Sequence, residues 1–199
     1  MKKLIIVAGV VALIAAACNQ SATQNNPNQT GNTQNPPASN TQTYSNSTYG
    51  FSFDYPNSMQ FVTPTYPNLD DKVVQIQIGQ DQYPGTNFGD AAFGVSTQFA
   101  KSLSDCLALT PPEGGDGFKT AVTINGTQFN MTKSNGAGAG NIYESNVYRT
   151  LHNNNCIEID ETIHTSNIGN YPAGSVTEVD SADVQAKLDD VLNSFQFSE

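Results

Sequence analysis

Apolar and polar residues alternate in several short runs of the chain, and a period of two is the pattern of β-strands with one buried face. In YGFSFDYP, Phe51, Phe53 and Tyr55 fall on one side and Pro56 ends the run. KVVQIQIG sets Val74, Ile76 and Ile78 against Val73, Gln75 and Gln77, and AAFGVSTQF aligns Phe93, Val95, Thr97 and Phe99. AVTINGTQFNM carries the strongest local signal. Its Asn125-Gly126 is the dipeptide of a type I′ hairpin, in which both central residues need positive φ. A two-residue loop there pairs Ile124 with Thr127 and Val122 with Phe129, so turn and pattern agree on one register. The glycine-rich SNGAGAGN that follows reads as a flexible loop. It lacks the Lys-Ser/Thr ending of a phosphate loop.

NIYESNVYRTL and CIEIDETIHTS form a second predicted hairpin, joined by His152-Asn153-Asn154-Asn155. A turn at Asn153-Asn154 sets Arg149 opposite Glu158 and Tyr148 opposite Ile159. One face then carries Tyr148, Ile157, Ile159 and Ile163. The other carries Arg149, Glu158, Asp160 and His164, and reads as solvated. A helix closes the chain, capped by Asp180 or Ser181, with Val184, Leu188, Val191, Leu192 and Phe195 at helical spacing. A shorter helix is predicted with Leu103, Cys106 and Leu107 on one side. Many antiparallel strands with a C-terminal helix predict an α+β fold, an antiparallel sheet flanked by helices.

The two ends of this region, TYGFSFDYP and LDDVLNSFQF, resemble the ends of PsbP-like domains. In these, a Gly-Phe-x-Phe-x-Tyr-Pro strand opens the sheet and a helix ending in Ser-Phe-x-Phe closes it. The resemblance covers residues 42–199 in layout. It implies a sheet covered by helices and a non-catalytic accessory or assembly role, best known at the oxygen-evolving side of photosystem II. Nothing in the sequence points to a photosynthetic partner, and its acidity departs from the basic contacts of the plant members.

The N-terminal end follows a different logic. Lys2 and Lys3 precede an apolar run from Leu4 to Ile14, then Ala15-Ala16-Ala17 and Cys18. That is the order of a secretory signal, with an apolar part short of the roughly 20 residues a membrane span needs. A cysteine after small residues resembles the lipobox of bacterial lipoproteins, although Ala15 stands where leucine is commoner. The resemblance implies lipid, palmitate included, on Cys18 as the new N-terminus; the plainer alternative is an ordinary signal with a chance cysteine. Residues 19–48 are almost wholly Asn, Gln, Thr, Ser and Pro without one charge, a composition expected to stay disordered. The expected division is a signal over 1–18, a linker over 19–41 and a domain over 42–199. A flexible coil of about 25 residues spans roughly 25–30 Å, enough to stand a domain off a lipid surface. The expected location is outside the cytoplasm, on the outer face of the cytoplasmic membrane or in the outer membrane.

The full chain carries 8 basic and 18 acidic residues. Loss of the signal would leave it near −12, since Lys2 and Lys3 go with it. Such a balance excludes nucleic acid as a natural partner, which would require a basic patch. Its plainest meaning is solubility. Cys106 and Cys156 make an even pair in an exported domain, which predicts a structural disulfide over two separate thiols or a redox pair. Cys156 shares a face with Arg149 and Glu158, so a bridged Cys106 segment has to cross that face.

Chemistry is sparse. The chain has no Gly-x-Ser-x-Gly, Ser-x-x-Lys or His-Glu-x-x-His. Its two histidines, His152 and His164, fall on opposite faces of the second hairpin. Glu158, Asp160 and His164 form the one row with metal-binding residue types. Strand residues two apart stand some 6–7 Å from each other, too far to share an ion unaided. Exchanges at Asp160 or His164 are therefore expected to cost little. Asp70-Asp71 and Glu113/Asp116 read as turns without the alternating ligands of a calcium loop. No cofactor, metal or catalytic residue is expected. The functional expectation is a lipid-anchored binding or assembly module that meets the membrane through Cys18 and an envelope protein or ligand elsewhere. The alternatives are an envelope hydrolase of unfamiliar type and a purely structural surface protein.

Overall fold

The computed structural model describes residues 40–198. Its elements run β1 (Thr41–Asn46), β2 (Phe51–Pro56), β3 (Gln60–Phe61), β4 (Asp71–Gly79), β5 (Phe88–Phe99), α1 (Leu103–Ala108), β6 (Thr120–Ile124), β7 (Thr127–Gly138), β8 (Asn141–His152), β9 (Asn155–Ser166), α2 (Ser181–Ser194) and β10 (Gln196–Phe197). Seven strands form a sheet in the order β3-β4-β5-β9-β8-β7-β6, and three form a smaller one in the order β1-β2-β10. The ladders are antiparallel throughout. The α+β architecture expected from the sequence is the one the chain adopts. None of the described helices is long and apolar enough to cross a membrane.

The core lies where the smaller sheet and α2 close over one face of the large sheet. The alternating aromatics of β2 are buried there, and Phe53 meets Phe93 of β5 at 4.9 Å between ring centroids. Phe51 stacks on Phe195 at 5.3 Å. From α2 come Val184, Leu188, Val191 and Leu192, all buried. Asp180 caps that helix by accepting from the N–H groups of Ala182 and Asp183, two of the donors a helix start leaves unpaired. Full burial of one such aromatic or aliphatic side chain stabilises by about 1.5–3 kcal/mol, so this layer dominates the fold.

Both predicted hairpins form in the predicted register. Ile124 pairs with Thr127 and Val122 with Phe129, around positive φ at Asn125 and Gly126. Arg149 pairs with Glu158 and Tyr148 with Ile159, around Asn153 and Asn154. Several local expectations need correction. Residues 41–46, polar enough to predict disorder, form the edge strand β1: Tyr44 stacks on Phe53 at 5.1 Å, and Thr43 donates to Asp54. SNGAGAGN is not a loop. Residues Ser134–Gly138 continue β7, Asn141 opens β8, and only Ala139 and Gly140 turn. The weak strand propensity of glycine is overridden by the long β8–β9 pair, which offers a ready edge to hydrogen-bond. Lastly, Asp71 opens β4, and Phe99 and Leu103 are exposed despite sitting in otherwise apolar patterns.

Cys106 and Cys156 are disulfide-bonded, with 5.1 Å between Cα atoms. The bond ties α1 to β9 on the face away from the main core, within a small cluster completed by Leu69 and Ala100. The bridge closes a separation of 50 residues. Its reduction is expected to cost about 2–4 kcal/mol, read as a lower urea midpoint with reductant than without. Equal midpoints would show the bridge to be energetically idle.

Candidate functional site

The second face of the large sheet holds the molecule's unusual chemistry. Alternation leaves Glu158, Asp160, Thr162 and His164 of β9, with Arg149 of β8, on that side. The expectation of a solvated face is wrong here. Arg149 and Glu158 are wholly buried and Asp160 is 2% exposed. The cause is a cover that strand periodicity does not reveal. The segment 62–70 before β4 and the segment 109–119 after α1 both lie across the face.

Side chains of the sheet grip these segments by their main chains. Arg149 Nε donates to Glu158 Oε2 at 2.8 Å, and Nη2 stands 2.7 Å from the same oxygen. The remaining guanidinium donors reach the carbonyls of Cys106, Leu109 and Thr110. The ring of Phe118 lies 4.4 Å from the guanidinium carbon, within cation–π range. Glu158 Oε1 accepts from the N–H of Asn68, and Gln75 Oε1 from those of Thr65 and Tyr66. Ser134 donates to the carbonyl of Glu113 and Thr132 to Asp116. Gly94 has to be glycine for this closeness, because a Cβ there would stand 2.6 Å from the ring of Pro67.

Between the two segments remains a cleft of about 170 Å³. Asn68 and Glu113 are exposed at its rim, the rings of Tyr66 and Tyr143 form walls, and Asp160 is buried at its base. Thr162 Oγ1 sits 2.5 Å from Asp160 Oδ1 and 2.6 Å from Ser145 Oγ. Burial pushes the Asp160 carboxyl up to about 7, with the neighbouring Glu158 charge adding to it. Tyr66 donates to Asp90 at 2.6 Å, which pairs with His164 Nδ1 at 3.0 Å. Burial raises Tyr66, so it remains a neutral phenol. His164 stacks on Tyr143 at 4.5 Å, and its Nε2 meets Asn141.

On the core face, Glu161 is a buried carboxyl beside Tyr148, Gln185 and Asn146. Tyr148 and Gln185 donate to its Oε2, while Oε1 is buried without a partner among the described residues. Burial, helped by the charge of Asp189, pushes it up to about 8.

The row Glu158, Asp160 and His164 is therefore present but not convergent: each member is committed to different neighbours. Among the described residues no cluster of three metal-binding side chains occurs. His152 lies on the other face, stacked on Phe197 at 3.8 Å. Cys18 lies outside the described residues. Sequence reasoning missed Tyr66, Asp90, Tyr143 and Glu161. One signal pointed toward the cover, namely the need for the Cys106 segment to cross the Arg149 face.

No protein-family model and no curated protein matches the sequence. Among solved structures, the chain is similar to a crystal structure from Bacteroides thetaiotaomicron, with 14% identity, a TM-score of 0.43 and 75% of this chain covered. This chain spans 45% of that protein. It is also similar to the solution structure of cyanobacterial PsbP from Synechocystis, with 14% identity, a TM-score of 0.43, and 79% of this chain and 92% of that one covered. Neither similarity carries an activity over to this chain.

Proposed function

We propose that the protein is a non-catalytic binding module, tethered by lipid on Cys18 and held off the envelope membrane by its neutral linker. The observation that carries the binding role is the cleft over Asp160. Around it the polar groups are committed to holding the cover, and the Asp160 carboxylate lines its base. A nucleophile beside a free base is missing from that arrangement, because Tyr66 spends its proton on Asp90 and Thr162 spends its own within the hydroxyl–carboxylate chain. The tether rests on the order Lys2-Lys3, apolar run, Ala15-Ala16-Ala17, Cys18. Two or more acyl chains anchor firmly, whereas one binds only marginally.

Replacing Cys18 with serine is expected to move the protein from the membrane fraction to the soluble one, and unchanged membrane retention would refute the anchor. Photo-crosslinkers at the rim positions Asn68 and Glu113, in intact cells, would identify what the cleft meets. Robust hydrolysis of envelope material by the purified protein, lost in Asp160→Asn, would instead favour an enzyme.

A further inference from the structure

We infer that the cleft between segments 62–70 and 109–119 is a site for an alkylammonium group, such as the end of a lysine side chain or a free primary amine. The inference rests on the binding-module reading and adds the ligand class.

Three features of the cleft select that chemistry. At its base, the Asp160 carboxylate is almost wholly removed from solvent, with Thr162 donating to its Oδ1 and the Lys72 charge nearby, and it lines the cleft as an acceptor for a cationic hydrogen-bond donor. On its walls, Tyr66 and Tyr143 stand edge to face at 6.2 Å, presenting aromatic surface of the kind that attracts a cation. At its mouth Glu113 adds a second negative charge in the open. The nearby cations are already used: Arg149 on Glu158 and the loop carbonyls, Lys72 on the carbonyls of Pro67 and Thr65. An anion would meet two carboxylates and no free cation among the lining residues. A divalent metal would meet the Asp160 and Glu113 carboxylates, with the Ser145 and Thr162 hydroxyls already engaged with each other and with Asp160, short of the six or more oxygens that Mg²⁺ or Ca²⁺ takes. The volume, about 170 Å³, suits a short alkyl chain with its ammonium head and nothing much larger.

The test uses the full chain purified in detergent, titrated calorimetrically at pH 8 with Nα-acetyl-lysinamide, with ethanolamine and with 1-butanol as the neutral control. Binding of one or both amines at about millimolar affinity is expected, and none of the alcohol. Preference for the lysine analogue would point to a protein side chain as the natural source, and preference for ethanolamine to a headgroup or free amine. Asp160→Asn, shown to fold by its melting transition, is expected to weaken amine binding at least tenfold. Tyr143→Leu should weaken it about fivefold and provides the same reading if the first variant does not fold. Equal binding of amine and alcohol, undiminished binding by both variants, tighter binding of Mg²⁺ or Zn²⁺ than of amine, or no amine binding up to about 100 mM would each overturn the assignment. If the rim crosslinkers still capture a partner while no amine binds, the ligand class falls and the binding module stands.

Discussion

Replacing Arg149 with alanine is expected to destabilise the domain by about 3–5 kcal/mol, the cost of leaving a buried charge without its counter-ion. Glu158 would keep the Asn68 N–H and the Ser96 hydroxyl but lose both guanidinium contacts, with no solvent to replace them. The carbonyls of Leu109 and Thr110 would lose their donors as well. Single domains have only about 5–15 kcal/mol in total, so the urea midpoint should fall by a large fraction. Arg149→Lys is expected to recover little, since one ammonium cannot reproduce a planar fork serving a carboxylate and several carbonyls. Arg149→Met combined with Glu158→Leu should recover much of the loss, because removing both charges also removes both desolvation costs. A single alanine variant within about 1 kcal/mol of the parent would show that the pair is not what holds the cover.

The second large effect is a dependence of stability on pH set by Glu161. The folded protein holds this proton more tightly than the unfolded chain does, so protonation favours folding. The contribution is complete below the ordinary value of 4.5 and is lost as pH rises through about 8. Linkage across that range is on the order of 5 kcal/mol. Asp160 acts in the same direction, between 3.8 and about 7. The melting temperature should therefore fall between pH 6 and pH 9. Glu161→Gln, which keeps the shape and cannot ionise, should melt higher than the parent at pH 8.5 and show a flatter profile. A parent profile flat from pH 6 to 9 would refute the assignment.

Local signals served the sequence reading well wherever one residue type dictates backbone geometry. Asn125-Gly126 and Asn153-Asn154 fixed two hairpins with their registers, because positive φ leaves few other options. The repeats of Val184, Leu188 and Val191 likewise fixed α2. Failures came where tertiary context decides. Whether the Arg149–Glu158 side of the hairpin faces water depends on segments 40 to 90 residues away in sequence, and alternation alone is the same for a wet face and a covered one. The strand in SNGAGAGN depends on its partner, since its own glycines argue against it. The cleft was illegible for the same reason: Tyr66, Asp90 and Tyr143 come from three separate stretches, and no spacing links them. Glu161 broke the apolar alternation of β9 in plain view. A charged residue at an inward position was the available sign of a perturbed group.

The sheet holds its two covering segments mainly by main-chain N–H and C=O groups, through Arg149, Glu158 and Gln75. The side chains of Thr65, Asn68, Thr110 and Glu113 are thereby left out of that grip, unlike those of Tyr66, Leu69, Asp116 and Phe118. Thr65, Asn68, Thr110 and Glu113 can be exchanged while the grip from beneath continues to set the path of the chain. A scaffold of this kind separates the inheritance of shape from the choice of what is recognised. Libraries randomised at those four positions should keep folding while exploring new ligands.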